Sequence, residues 1–492
     1  MNDLKKTIYC IFILLLSLQA YAQKSKLKTP DFTFVDTALL VANTGKKVCI
    51  KNLEVAGTKK TKIYIVYREI HFKQGDSLLI TDLQKEMEQA RYQVYNTTLF
   101  NEVKFELVAV DAYNISINVK VLERWYLYPV PQFKWIDRNF NEWWKTYKHS
   151  LDRVNYGLKF VHYNLSGRRD QLRIYLINGY SRDISFSYNA PYSNKALTDG
   201  FIIGAGYSQK RELPYNTNHH DSLLFYPSDP ITKAKAEFVY KNWYIHAGYS
   251  IRRGLFKKHL FTASFSHIAV SDSVIISKHN PNYFGDSTSS KGIIELNYIQ
   301  QYSNVNNSSY PLKGKTGFLV IQKKGLGLTG GINMLSIEAG YNKYFDMGKN
   351  WYSSIQLNGK IKLPFEQAYI NQRGLGYGEN YLRGLEYYVI DGIATALVKS
   401  TIKKKIISFY VPFPFFPKLL NKIPFTIFAK TYADLGYAYT KDIYSTNLSN
   451  RLLYSGGFGI DILTLYDINL RFEYSFNQLK ENGLFLHNQS GF

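Results

Sequence analysis

Apolar and polar residues alternate strictly along much of this chain. Between Asp467 and Asn477, the residues Ile468, Leu470, Phe472, Tyr474 and Phe476 alternate with Asn469, Arg471, Glu473 and Ser475. Between Tyr352 and Leu363, Ile355, Leu357, Gly359, Ile361 and Leu363 alternate with Gln356, Asn358, Lys360 and Lys362, and Val154, Tyr156, Leu158 and Phe160 alternate with Asn155, Gly157 and Lys159. Successive side chains on a strand point to opposite faces, so a period of two predicts strands with one apolar and one polar side. Runs of about ten such residues have the length a tilted strand needs to cross a bilayer. Residues 150–492 leave about 21 positions for each of about sixteen strands, enough for strand, turn and some long loops. The fold class expected is mainly β: a transmembrane antiparallel β-barrel of about sixteen strands, preceded by one small α+β domain.

The pattern changes over residues 46–125. Val48, Ile50 and Leu53 fit a short strand, and Lys62–Ile70 and Thr81–Thr98 have helical spacing, with Leu83, Met87, Ala90 and Val94 on one face. Val103, Phe105 and Leu107 then alternate, as do Ile115, Ile117, Val119 and Val121. The order β-α-α-β-β in about eighty residues predicts a sheet covered on one face by helices. Residues 23–45 carry little periodicity and are expected to be a flexible leader. Residues 126–149, with Trp125, Trp135, Trp143 and Trp144 at or near them, are expected to link the domain to the membrane, where such aromatics favour the interface.

The N-terminus sets the expected compartment. Lys5 and Lys6 precede an apolar run from Ile8 to Leu16, then Ala20-Tyr21-Ala22, which has the form of a signal peptide over residues 1–22 with the mature chain starting at Gln23. The run is too short for a spanning helix of roughly 20 residues. Cys10 lies within it, so the mature chain keeps only Cys49, which excludes a disulfide framework and a thiolate metal cluster. Composition agrees with a barrel: 42 Tyr and 31 Phe among 492 residues bring aromatics to 16%, yet the mean hydropathy is −0.25. Strands facing lipid on one side and water on the other, with aromatic girdles at both interfaces, have this balance. The net charge of +23, from 61 Lys and Arg against 38 Asp and Glu, would suit nucleic acid in another compartment. In an exported barrel it fits a cationic lumen, turns near anionic lipid and contacts with surface glycolipid, with anion preference if the lumen conducts. No nucleic-acid partner is expected.

Specific residues now carry a resemblance. Leu53-x-Val55-x-Gly57, Thr61, Arg68-Glu69, Gly75-Asp76, Leu83, Leu99-Phe100-x-x-Val103 and Val119-x-Val121-x-Glu123 resemble a polypeptide-transport-associated (POTRA) domain. Tyr381-Leu382-Arg383-Gly384-Leu385-Glu386-Tyr387 is similar to the Arg-Gly-aromatic motif in the sixth extracellular loop of the BamA/TamA superfamily. Tyr432-Ala433-Asp434-Leu435-Gly436 resembles the aromatic-x-Asp-x-Gly motif of its thirteenth strand, and Pro311-Leu312-Lys313-Gly314 and the terminal Phe492 also fit. The resemblance implies an outer-membrane protein that catches client strands on the POTRA domain and inserts or exports them through the barrel. The partners it implies are outer-membrane lipid and glycolipid, unfolded outer-membrane or secreted clients, and accessory envelope proteins. Three departures qualify it. Leu385 stands where an aromatic is usual; Asn488 and Ser490 interrupt the parity of Leu484, Leu486 and Phe492; and one POTRA repeat is visible where the general assembly factor carries several. The last points to a dedicated role. A porin-like or structural barrel is the other reading.

The loop motif also has a physical reading. Gly374, Gly376, Gly378 and Gly384 permit a tight, folded-back loop. Phe428, Lys430, Tyr432 and Asp434 share one parity, so Asp434 is expected in the lumen beside a basic wall of Lys399, Thr401, Lys403 and Lys405. A loop entering the lumen would then pair Arg383 with Asp434 through a charge-assisted bond. The site expected is therefore Leu382, Arg383, Gly384, Asp434 and Gly436, with Phe492 as the barrel terminus. Gly374-x-Gly376-x-Gly378 lacks the strand–turn–helix frame of a nucleotide loop. His219-His220-Asp221 lies in a Pro/Asn/Ser-rich stretch, and no Gly-x-Ser-x-Gly elbow occurs. No catalytic, cofactor-binding or metal residue is assigned, and enzymatic activity is not expected.

Overall fold

A computed structural model describes residues 32–35, 47–135, 148, 150–227, 237–327, 332–412, 422–441 and 446–489. The expected signal peptide, Trp143, Trp144, the Trp135 side chain and Phe492 lie outside the described residues. The chain begins with an α+β domain made of β1 (Phe32–Val35), β2 (Lys47–Ala56), α1 (Ile63–Glu69), β3 (Ser77–Leu79), α2 (Leu83–Tyr95), β4 (Phe100–Ala109) and β5 (Asn114–Glu123). Its sheet order is β1-β4-β5-β2-β3. Leu83, Met87, Ala90 and Val94 of α2 are buried against Phe105, Leu107, Ile115 and Ile117, as the spacing requires. Each of these side chains larger than alanine contributes roughly 1.5–3 kcal/mol on leaving water.

Two features of this domain differ from expectation. Phe32–Val35, within the segment expected to be a flexible leader, pairs in parallel with Phe105–Val108 and covers the β4 edge. On the opposite side, β3 pairs with β2 only at Lys47–Cys49. Among the described residues, no strand covers the outer edge of β2 beyond Cys49, where Leu53 and Val55 are half-buried.

The second sheet has sixteen strands. It runs through β6 (Leu127–Trp135), β7 (Val154–Tyr163), β8 (Gln171–Gly179), β9 (Ser181–Ala190) and β10 (Asp199–Lys210). A hairpin of β11 (Leu213–Thr217) and β12 (Leu223–Tyr226) leads to β13 (Tyr240–Ile251), β14 (Lys257–Val270), the single turn α3 (Asp272–Ile275), β15 (Ser290–Val305), β16 (Gly314–Lys324), β17 (Met334–Gly348) and β18 (Trp351–Leu363). After a loop with the short pair β19 (Arg373–Leu375) and β20 (Ile390–Asp391), the sheet resumes with β21 (Ala394–Pro412), β22 (Lys422–Tyr439), β23 (Leu452–Leu463), β24 (Asn469–Asn477) and β25 (Asn482–Gln489). Every neighbouring pair is antiparallel, and β22 is the thirteenth strand of the sheet. The barrel therefore starts at β6, inside the segment 126–149 expected to be a link. Pro129 and Pro131 had masked that strand.

Ile355, Leu357, Ile361 and Leu363 of β18 face outward and stay exposed, as do Leu452, Tyr454, Phe458 and Ile460 of β23. An apolar outer face with Lys430, Asp434, Asp461 and Glu473 buried inside is the polarity of a lipid-facing barrel. β6 and β25 are the two end strands of this sheet. Tyr128 of β6 meets Tyr466 of the β23–β24 turn, with ring centroids 6.1 Å apart.

The α+β domain is docked on one end of the barrel through buried charge. Arg252, in the β13–β14 turn, forms a bidentate pair with Glu69 at 2.5 and 2.7 Å, and the Tyr192 hydroxyl donates to the same carboxylate at 2.7 Å. Arg124 donates to Asp467 of the β23–β24 turn at 2.7 Å, where the Tyr95 hydroxyl also donates at 3.0 Å. The Asn96 amide donates to Val305 O, and Arg169 donates to Thr97 O. Burial alone would raise the Glu69 carboxyl above its ordinary range, but the neighbouring Arg252 and Arg169 charges and the hydrogen bonds outweigh burial and hold it below. A depressed carboxylate stabilises docking above its ordinary pKa, and that contribution is lost as the pH falls through the lowered value. The domain should therefore stay protease-resistant on the barrel at pH 5 and undock only below about pH 4. Limited proteolysis across a pH series checks this; release near neutrality would contradict it.

Candidate functional site

The loop joining β18 to β21 is the sixth at the end of the barrel away from the α+β domain, and it folds into the lumen. At its base, Lys362 on the inner face of β18 donates to Asn371 O at 2.7 Å, Arg373 O at 2.6 Å and Gly392 O at 3.1 Å. Its two limbs pair as β19 and β20. An inward lysine satisfying three loop carbonyls was not singled out from sequence, because it looks like any polar position of an alternating strand.

The expected residues meet at the tip. The Arg383 guanidinium is bidentate to Asp434: Nε donates to Oδ2 at 2.9 Å and Nη2 donates to Oδ1, while the Arg383 backbone N–H also donates to Oδ2 at 3.0 Å. Nη1 donates to Thr401 Oγ1 at 3.0 Å and Nη2 to Ser400 O at 3.2 Å. The Tyr432 ring lies 4.0 Å beneath the guanidinium carbon, and the Tyr432 hydroxyl is 2.6 Å from Ser475 Oγ. Arg383 is 7% exposed and Asp434 1%. A planar fork matched to a carboxylate and stacked on an aromatic is an arrangement lysine does not reproduce.

The two motif glycines serve different needs. Gly384 has φ +93°, and a Cβ there would come within 2.9 Å of the Ser475 Cβ. Gly436 leaves the notch that Leu382 fills, since a Cβ would approach Leu382 Cδ1 to 2.6 Å. Leu382 and Leu385 pack with Leu375, Ile390, Leu397, Ala438 and Leu453 in one buried cluster. Leu385, where an aromatic is usual, is thus a core residue; Tyr387 and Tyr388 flank it and reach toward the last hairpin. Tyr387 lies 5.3 Å from the Phe485 ring, and the Tyr388 hydroxyl donates to Glu481 at 2.6 Å.

The loop therefore touches the final strand directly. Tyr381 stacks on His487 of β25 with centroids 5.4 Å apart, and His487 Nε2 lies 3.4 Å from both Glu386 and Glu473. Below the loop, Lys430 pairs with Asp461 and Glu473, each at 2.5 Å, and Lys403 reaches Asp461 at 3.3 Å. The basic wall is thus matched by inward carboxylates, and Lys399 instead lies 4.1 Å from the Tyr381 ring centroid.

The far mouth is roofed by a second apolar cluster. Leu213 of the β11–β12 hairpin, Val274 of α3, Tyr283, Phe284 and Ile332 pack together, with Tyr369 and Ile370 of the sixth loop against them. Within that roof His219 and His220 are exposed, whereas Asp221 is buried and accepts from Leu448 N and, through its backbone carbonyl, from Val389 N. The three do not converge on one point. Pro311-Leu312-Lys313-Gly314 forms a turn beneath the α+β domain, where Lys313 lies 3.5 Å from Glu88.

No protein-family model and no curated protein sequence matches the chain. Solved structures do. The crystal structure of BamA from Haemophilus ducreyi lacking POTRA domains 1–3 superposes over 90% of this chain and 84% of that one, with a TM-score of 0.50 and 12% identity. CdiB from Escherichia coli covers 90% and 75%, with a TM-score of 0.50 and 11% identity. At these identities the likeness is one of fold: this chain shares the barrel fold of the BamA and CdiB structures.

Proposed function

We propose that this protein is an outer-membrane assembly or translocation factor: its α+β domain, a POTRA domain on the periplasmic side, catches extended client strands, and its barrel passes them into or across the membrane. The observation that carries this reading is the seam. Tyr163 N–H donates to Tyr126 O, and the β6–β7 register pairs Leu127 with His162. Hydrogen bonding alternates along an antiparallel pair, so even-numbered residues of β6 bond β7 and odd-numbered ones point to its other edge, where β25 would have to pair to close the barrel. Two of those odd positions are Pro129 and Pro131, which have no N–H to give. Among the described residues no ladder joins β6 to β25. The barrel's closing edge is therefore poor in donors, which supports lateral opening and pairing with a client strand.

Client capture fits the uncovered outer edge of β2, to which an extended segment can add through backbone bonds. β1 occupies the opposite edge, so a client there would have to displace it. The reading of a passive pore is disfavoured by the sixth loop entering the lumen, with an apolar cluster at one end of the barrel and the docked domain at the other. The one α+β domain among the described residues supports a dedicated role. Depletion of the protein should lower one or a few surface proteins while most barrels keep their abundance in the outer-membrane proteome. A general loss of barrels would show a housekeeping role instead.

A further inference from the structure

Glu386, Glu473 and His487 bring three ligand atoms within 4.8 Å of one another, from three separate elements: the sixth loop, β24 and β25. We propose that they form a divalent transition-metal site, suited to Zn2+, that ties the loop to the last strand of the barrel. Three features point to a ligand. Glu386 Oε1, Glu473 Oε2 and His487 Nε2 are all buried and none has a hydrogen-bond partner. Glu473 is fully buried, so its second oxygen is aimed into the cluster. The spacing also fits. Oxygen and nitrogen ligands at about 2.0–2.1 Å from a tetrahedral Zn2+ stand roughly 3.3–3.4 Å apart, and both carboxylates stand 3.4 Å from His487 Nε2.

The outer oxygens are already held. Glu386 Oε2 accepts from Gly384 N at 2.6 Å, and Glu473 Oε1 accepts from Lys430 at 2.5 Å. The His487 ring is fixed by its stack on Tyr381. Ligands oriented by such outer contacts are what a metal site requires. Imidazole and carboxylate donors with one position left to water suit Zn2+ better than Mg2+ or Ca2+, which take all-oxygen shells. The consequence for the barrel rests on the proposed seam: a clip on β25 would restrain the strand whose partner edge is poor in donors.

The test uses the full chain folded in detergent and stripped with a chelator. Zn2+ titrated calorimetrically should bind at one site, Mg2+ should not compete, and Zn2+ should raise the temperature at which the barrel unfolds on a gel. His487→Gln and Glu386→Gln should each lower affinity at least about tenfold and abolish that rise. His219→Ala with His220→Ala, in the exposed roof, should change neither and excludes adventitious histidine binding. Absence of Zn2+ binding to the wild-type chain, or equal binding by His487→Gln, overturns the site. Binding without any rise in the unfolding temperature overturns the clip but leaves the seam reading to be judged by client insertion alone.

Discussion

Truncating Arg383 to Ala will release the sixth loop from the lumen. The substitution removes the bidentate contact to Asp434, the bonds to Thr401 and Ser400 O, and the stack on Tyr432 in one step. It leaves the Asp434 carboxylate buried with one remaining backbone donor, and losing one partner of such a pair costs roughly 3–5 kcal/mol. Asp434→Ala should cost less, because the guanidinium keeps Thr401, Ser400 O and the Tyr432 face. Lys430 and Lys403 do not rescue Asp434, contrary to what their parity suggests, since both are committed to Asp461 and Glu473. The cation opposite Asp434 in register is Lys399. Arg383→Lys should restore only part of the loss, because an ammonium lacks the fork. A double-mutant cycle read by protease cleavage between residues 376 and 390 measures the coupling. Harmless single mutants, or effects that simply add, would show that the pair does not hold the loop.

The second large effect lies at the seam. Replacing Pro129 and Pro131 together with Val supplies two donors on the edge facing β25. Each hydrogen bond is worth about 0.5–1.5 kcal/mol net, so the pair should shift the opening equilibrium toward closed by roughly fivefold to a hundredfold. The variant should resist heating in detergent gels better than the wild type and insert clients correspondingly more slowly. An unchanged unfolding temperature with unchanged insertion would mean that the missing donors do not limit the seam.

What the sequence made legible and what it hid divide along physical lines. The parity of Phe428, Lys430, Tyr432 and Asp434 depends only on local alternation, and all four are buried inside the barrel. The face of α2 was readable for the same reason. Arg383 and Asp434, 51 residues apart, were joined through the resemblance of their motifs; alternation placed Asp434 in the lumen but gave no partner. β6 was missed because proline argues against a strand, although prolines are tolerated on an edge whose N–H groups face no neighbour. β1 was missed because four residues show no periodicity, and a parallel partner about 70 positions away leaves no local sign. The Glu386–Glu473–His487 cluster depends on a loop descending onto two strands, and nothing in the spacing of those residues announces it. The docking of Arg68, Glu69 and Arg124 on the barrel turns is likewise long-range: Arg68 and Glu69, motif residues that mark the domain, also fasten it.

On the function proposed above, the barrel acts on other chains rather than conducting through its own lumen. The most direct measurement places the purified protein in liposomes, adds a urea-unfolded test barrel, and follows the protease-protected fraction over time beside the conductance of the same membranes. Insertion several-fold faster than into empty liposomes, with little steady conductance, is the predicted result; steady conductance with no acceleration would contradict it.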